Sequence, residues 1–411
     1  MFITIGEIYK MTSQDYIKIE EELGAHNYHP LDVVVAEAKG CWVTDVEGNR
    51  YLDCLAAYSA VNQGHCHPAI LDVFLEQAKK VTLTSRAFRN DQLPRLYQKL
   101  NEMTGYEMFL PMNSGAEAVE TAIKLARRWA YDVKGLEENK AEIIVATGNF
   151  HGRTTTIVGF SDDPDSFKGF GPYVDWAFPM HEFGNIEDLK TKITKNTAAV
   201  LVEPIQGEGG VVIPPHGYLK AIETLCKENN ILFICDEIQA GLGRAGKLFA
   251  HQYENVRPDM VIVGKALSGG FMPVSGVLAD KEVMLTIKPG EHGSTFGGNP
   301  LAAAVAVKSL EVIQDEKLVE RSFEMGAYFV QELKKIDSPH IVEVRGKGLW
   351  IGFVLDQKAR PYCYRLKEEG VLCKDTHEVI IRIAPPLVVT KEEIDFAVEK
   401  IAKVVKEFDN K

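Results

Sequence analysis

The stretch VIVGKALSGG sets Lys265 directly behind a short apolar run. A lysine at the edge of a buried strand loses hydration, which favours its neutral amine. A neutral amine can attack an aldehyde and form a Schiff base. Alone, the residue reads as well as a surface lysine at a strand end. Asp236 changes that balance, because it closes the strand-like ILFICDE upstream of Lys265. Open α/β sheets bind ligands at the carboxyl ends of their strands. A carboxylate there can keep a pyridine nitrogen protonated, as the electron sink of pyridoxal phosphate (PLP) requires. Gln239 follows closely and could donate to the phenolic oxygen of such a ring. The plainer reading of Asp236 is a helix N-cap. A strand ending in Asp, followed by a strand ending in Gly-Lys, is more specific than either half.

Other residues extend the pattern. Ser114, Gly115 and Ala116 open a helix-like stretch at 114–131. A helix N-terminus offers free N–H groups and a positive dipole end to a phosphate, although Ser114 also reads as a simple cap. A second Gly-rich stretch, 292–300, supplies hydroxyls, Thr295 among them, and reads otherwise as a turn. Phe150 and Arg153 follow the strand-like IIVATG. The aromatic could stack on a cofactor ring, and the arginine could bind a carboxylate bidentately. The alternative is a core phenylalanine beside a surface charge. Arg382 sits among apolar residues in IIRIAPP and needs a partner, because an unpaired buried charge costs several kcal/mol. Glu208, in EPIQGE, is a candidate.

The elements that must carry these residues follow from hydrophobic periodicity. In 114–131, Ala118, Ala122, Leu125, Ala126 and Trp129 recur at helical spacing. Short apolar runs at 143–146, 198–202, 231–235 and 260–263 read as strands, with helical stretches such as 217–229 between them. That order predicts βα units around a mostly parallel sheet, an α/β fold. Beyond Pro300, helices at 301–315, 317–336 and 391–408 with strands at 341–344 and 349–355 read as a smaller α+β domain. A β-hairpin is expected over 42–53, turning at Gly48-Asn49. The expected division is 1–62 as an N-terminal segment of the small domain, 63–305 as the large domain and 306–411 as the C-terminal small domain.

The chain has 411 residues, long enough for two or three domains. Its 45% hydrophobic and 25% charged composition is that of a globular protein. A net charge of −12 argues against nucleic-acid or membrane-surface partners. The seven cysteines are odd in number, irregularly spaced and without CxxC, which fits reduced cytoplasmic thiols. The opening MFITIGEIYK lacks a basic region and acids follow early, unlike a transit peptide. Met11 is an alternative start.

Together these residues resemble the class III (subgroup II) PLP-dependent aminotransferases of fold type I. The resemblance runs from about Gly24 to the C-terminus. It rests on GAHNYHPL at 24–31, YSAVNQGHCHP at 58–68, NFHGRT at 149–154, VEPIQGEGG at 202–210, DEIQAGLGR at 236–244, GKALSGG at 264–270, KPGEHGSTFGGNPL at 288–301 and IRIAPPL at 381–387. Within the family it points to the branch acting on L-ornithine and 2-oxoglutarate. The resemblance implies that Lys265 holds the cofactor and shuttles the proton. It further implies that Asp236 pairs with the ring nitrogen, Gln239 meets the phenolic oxygen and Phe150 stacks. Ser114, Gly115 and Ala116 would cradle the phosphate, and Thr295 would reach the phosphate of the other subunit of a homodimer. Tyr28 and Arg153 would grip the α-carboxylate of ornithine, and Tyr58 would line the pocket. Arg382 would bind the carboxylate beside the reacting carbon of 2-oxoglutarate and be neutralised by Glu208 in the other half reaction. At His151 family members often carry a bulkier aromatic, and a histidine there could tune the pH response of the pocket.

Competing readings are weaker. Residues 241–246 match GxGxxG, with Asp259 downstream, and raise a dinucleotide-binding oxidoreductase. Asp236 to Gln239 intervene between strand and glycines, and Asp259 precedes its strand rather than ending it. His65-Cys66-His67 reads as a loop before a helix at Pro68, with no second cluster at zinc-ligand spacing. A non-catalytic scaffold would leave Lys265, Asp236 and Arg382 as coincidences. Acetylornithine, 4-aminobutyrate and other ω-amino acid aminotransferases share Lys265, Asp236 and Glu208, and Tyr28 with Arg153 favours free ornithine. An aminomutase or decarboxylase on the same fold is a further alternative.

Overall fold

The computed structural model describes residues 11–409, and the reading of MFITIGEIYK lies outside them. After a helix at Ser13–Leu23 come three strands: β1 (Val35–Lys39), β2 (Trp42–Asp45) and β3 (Arg50–Asp53). β2 and β3 form the expected hairpin, with Trp42 opposite Leu52, and Gly48 turns it at φ 91°. Seven strands then build the central sheet: β4 (Met108–Met112), β5 (Glu142–Ala146), β6 (Met180–His181), β7 (Thr197–Val202), β8 (Leu232–Asp236), β9 (Met260–Val263) and β10 (Ser275–Ala279). Their spatial order is β4-β10-β9-β8-β7-β5-β6. All recorded pairings from β9 through β6 are parallel. β10 runs antiparallel to both β4 and β9.

The central strands are continuous apolar runs because both faces of the sheet are covered. In β5, Ile143 and Val145 face the helix Gly115–Asp132 with Ala122, Ala126 and Trp129. Ile144 and Ala146 face the other way, toward Ile222 and Cys226 of the helix Tyr218–Asn229. Three strands of this sheet, β4, β6 and β10, had no clear signal in the sequence. β4 carries Pro111, tolerated because β4 is an edge strand. β10 carries Gly276, where a Cβ would fall 2.4 Å from the Leu110 carbonyl oxygen. Close backbone approach, rather than β-propensity, dictates that residue.

The C-terminal part contains β11 (Ile341–Gly346), β12 (Ile351–Leu355), β13 (Val371–Leu372), β14 (Lys374–Thr376) and β15 (Ile380–Ile383). β11-β12-β15-β14 form an antiparallel sheet. β13 leaves it and pairs in parallel with β3. The expected helices at 301–315, 317–336 and 391–408 are found at Pro300–Asp315, Leu318–Leu333 and Lys391–Asp409. The middle one starts late because Lys317 adopts a left-handed conformation, φ 51°.

Arg244 ties distant segments together. It is fully buried and donates to the carbonyls of Leu349 at 2.8 Å and Pro385 at 2.6 Å, and to Asn62 Oδ1 at 2.6 Å. Burial pulls its pKa down to about 9. The glycines at 241–246 lie in the turn that carries this arginine, and no helix begins at them. His65 and His67 also have structural partners: Asp53 at 2.7 Å and Glu316 at 2.9 Å.

Candidate active site

Sheet order explains the site. β9, β8, β7 and β5 lie side by side and parallel, so their carboxyl ends open on one edge. Lys265 follows β9, Asp236 ends β8, Glu203 follows β7, and Phe150 and His151 follow β5. A cavity of about 530 Å³ collects Lys265, Asp236, Glu203, Phe150 and His151, with Gly115 from the helix after β4. Gln239 and Ala116 line it as well.

Lys265 sits at φ 41°, a left-handed conformation unfavourable for a side-chain-bearing residue, at the head of a short 3₁₀ turn. The surrounding walls strip it of bulk water, which lowers its amine pKa against the opposing pull of Glu208. Asp236 is buried, and its Oδ2 lies 2.8 Å from His151 Nδ1. Its Oδ1 accepts from the Ile238 N–H at 3.0 Å. Burial works against a charged His151, but the hydrogen bond and charge of Asp236, then Glu203, raise its pKa overall. Burial pushes Glu203 up to about 7, although its oxygens accept the N–H groups of Phe150 and Gly207. His151 Nε2 has no partner among the described residues. Sequence reasoning gave neither residue a firm role; Glu203 follows β7, the neighbour of β8, and His151 follows β5, one strand further along the sheet.

Ser114 is the N-cap of the helix Gly115–Asp132, and its Oγ accepts from the Glu117 N–H. The Glu117 carboxylate takes the N–H groups of Asn113 and Ser114 in return. This capping box leaves the N–H groups of Gly115 and Ala116 at the cavity. Ser294 Oγ accepts from Asn113 Nδ2 at 2.7 Å, which docks the 292–299 stretch on that helix start. Thr295 itself is exposed.

Arg382 is buried, and its Nη1 donates to Glu208 Oε1 at 2.7 Å. Gln239 joins them, accepting from Arg382 and donating to Glu208, each at 3.4 Å. A Cβ at Gly207 would lie 2.7 Å from Gln239 Nε2 and 2.8 Å from Trp350 Cζ2, so the cluster closes only around glycine. Burial raises the Glu208 pKa, but Arg382, Lys265 and Lys374 outweigh it and hold the carboxyl below its ordinary value.

Tyr58 lies under the Arg382 guanidinium, 4.8 Å from ring centroid to Cζ. Its backbone belongs to a run of four left-handed residues, Ala56 to Ser59. Asp53 Oδ1 holds the start of that run by accepting from the N–H groups of Leu55 and Ala56. Tyr28 is 66% exposed and lines, with Tyr58 and Lys374, a second cavity of about 890 Å³. Arg153 is exposed, lies over the Phe150 ring at 5.6 Å, and lines neither cavity. The structure thus gathers Lys265, Asp236, Gln239, Glu208, Arg382 and Phe150, and leaves Tyr28 and Arg153 apart.

The fold and this edge of the sheet define an enzyme class, and the comparisons agree. The aminotransferase class-III family model matches residues 23–405, so the chain belongs to that family. It is 60% identical over 393 residues to an ornithine aminotransferase of an Exiguobacterium species, covering 96% of this chain and 98% of that one. The ornithine aminotransferase structure from Toxoplasma gondii, which shows partial PLP occupancy at its active site, superposes with a TM-score of 0.96 at 42% identity, covering 98% and 97% of the chains. The acetylornithine aminotransferase from Elizabethkingia anophelis superposes with a TM-score of 0.88 at 49% identity, covering 97% and 100%.

Proposed function

We propose that this protein is a PLP-dependent aminotransferase that moves the δ-amino group of L-ornithine to 2-oxoglutarate. The products are glutamate and glutamate 5-semialdehyde, which cyclises to pyrroline-5-carboxylate. The observation that carries the reading is the Glu208–Arg382 pair beside Lys265, at 2.7 Å. An aminotransferase must accept two unlike substrates in one site. 2-Oxoglutarate has a carboxylate next to its reacting carbon, which Arg382 can bind. The δ-end of ornithine has none, and Glu208 then neutralises the arginine. Acetylornithine or another ω-amine donor is the second reading, favoured by the likeness to the Elizabethkingia anophelis enzyme.

The residues fit PLP. The cavity joins an amine, a carboxylate, an aromatic face and a helix N-terminus, and retains a buried imidazole nitrogen without a partner. Bound PLP supplies an electron sink that depends on a protonated pyridine nitrogen. Lys265 Nζ would hold it and afterwards carry a proton at the reacting carbon. Asp236 would keep the ring nitrogen protonated, with His151 steadying the carboxylate. Gln239 would meet the phenolic oxygen and Phe150 the ring face. Gly115 and Ala116 N–H groups, with Ser114, would take the phosphate. Thr295, exposed at the docked 292–299 stretch, would meet the phosphate of a second copy in a homodimer. Arg153 has no carboxylate in salt-bridge contact among the described residues, which suits it to hold the ornithine α-carboxylate with Tyr28.

Residues 63–305 would act as the cofactor-binding domain, with 1–62 and 306–411 as the smaller one; the β13–β3 pairing supports this division. All seven cysteines are unpaired, in keeping with a cytoplasmic location. Among the described residues no helix is long and apolar enough to cross a membrane. Replacing Lys265 with alanine tests the chemistry: the visible absorbance of bound cofactor and turnover should both be lost, turnover by more than about a thousandfold. Turnover near the wild-type rate would refute the role.

A further inference from the structure

We propose that Lys374 is the alternate partner of Glu208, the cation that receives its carboxylate when Arg382 is engaged by the substrate carboxylate. The proposal rests on the two-substrate reading above, but only on its dicarboxylate half.

Strand register sets up the arrangement. β14 and β15 are antiparallel, and Lys374 stands directly opposite Arg382. Directly opposed residues project to the same face of a sheet. Both cations accordingly approach one ring: Arg382 Cζ is 4.8 Å and Lys374 Nζ is 5.6 Å from the Tyr58 centroid. Lys374 Nζ also donates to the Tyr58 hydroxyl at 3.1 Å. Among the described residues no carboxylate is in salt-bridge contact with Lys374.

Glu208 is anchored on the same strand. Its carbonyl oxygen accepts from Thr376 Oγ1 at 2.7 Å, which fixes its backbone close to Lys374 in sequence along β14. Its side chain is less confined, 31% exposed against 2% for Arg382. The main chain can therefore stay while the carboxylate moves between staggered rotamers. The Lys374 charge already acts on Glu208, behind Arg382 and Lys265. Lys265 is assigned to the cofactor, which leaves Lys374.

The switch needs such a residue. When a substrate carboxylate takes Arg382, Glu208 loses its partner and faces a like charge. A carboxylate stripped of its partner in a partly buried site carries a large penalty. A lysine, with its long flexible stem and point charge, can follow it. Lys374 lines the open cavity beside Tyr58, so its stem is free to move.

The test compares the wild-type holoenzyme with Lys374→Met and Lys374→Arg. Single-turnover half reactions are followed with glutamate and with ornithine, and binding of glutarate, a dicarboxylate that cannot react, is titrated separately. Lys374→Met should lower kcat/KM for glutamate and weaken glutarate binding by about tenfold, with a clearly smaller loss in the ornithine half. Lys374→Arg should restore most of both. Equal losses in the two half reactions, unchanged glutarate binding, or no restoration by arginine would overturn the proposal. If the wild type ignores ornithine, the donor assignment fails, while the glutamate and glutarate comparisons still decide the role of Lys374.

Discussion

His151 Nδ1 lies 2.8 Å from Asp236 Oδ2, in a contact closed to solvent. The pair joins the ends of β5 and β8, which are separated in the sheet by β7. It makes Asp236 a carboxylate with a fixed orientation and Glu203 the next charge behind it.

This contact predicts a pH-dependent stability of the cofactor-free protein. Burial alone would lower the imidazole pKa, but Asp236 and Glu203 raise it above its ordinary 6.5. A base with a raised folded pKa contributes stability fully present below its unfolded value and lost as pH rises through the folded one. The wild-type margin over His151→Phe should be largest below the ordinary imidazole pKa of about 6.5 and shrink as pH rises above it. Denaturant titrations across that range check it; a margin that grows with pH would refute the charged pair.

Glu208→Ala should leave Arg382 buried without its carboxylate. The ornithine half reaction should slow by about tenfold or more, and the glutamate half by clearly less. Single-turnover rates for the two halves decide this. Equal losses would argue against the switch.

Tyr28→Ile removes a hydroxyl from the rim of the second cavity. The KM for ornithine should rise about tenfold with little change in kcat, consistent with lost ground-state binding. Substrates that present an α-amine should improve in relative terms. An unchanged substrate preference would remove Tyr28 from the selectivity argument.

Much of this site was legible because its chemistry sits at strand ends. Asp236 and Lys265 close apolar runs that the sequence marks clearly, and Glu208 could be paired with Arg382 from the need to neutralise a buried charge. β4 and β10 were not legible, since Pro111 and Gly276 weaken their local signal and their residues answer to neighbouring strands. His151–Asp236 depends on the order of strands, which no local pattern encodes. The left-handed run from Ala56 to Ser59 contains no glycine, so composition gives no warning of it; the Asp53 carboxylate, holding the N–H groups of Leu55 and Ala56, supports it. The GxGxxG match has no helix behind it: its glycines lie in a turn packed against Glu237, Leu387 and Gly348.

The most direct measurement is a stopped-flow absorbance record of the PLP-loaded enzyme mixed with L-ornithine alone. The account predicts decay of the visible cofactor band with release of glutamate 5-semialdehyde. A visible band that ignores ornithine but answers N-acetylornithine or 4-aminobutyrate would contradict the assigned donor. Absence of any visible band after loading with PLP would contradict the cofactor chemistry itself.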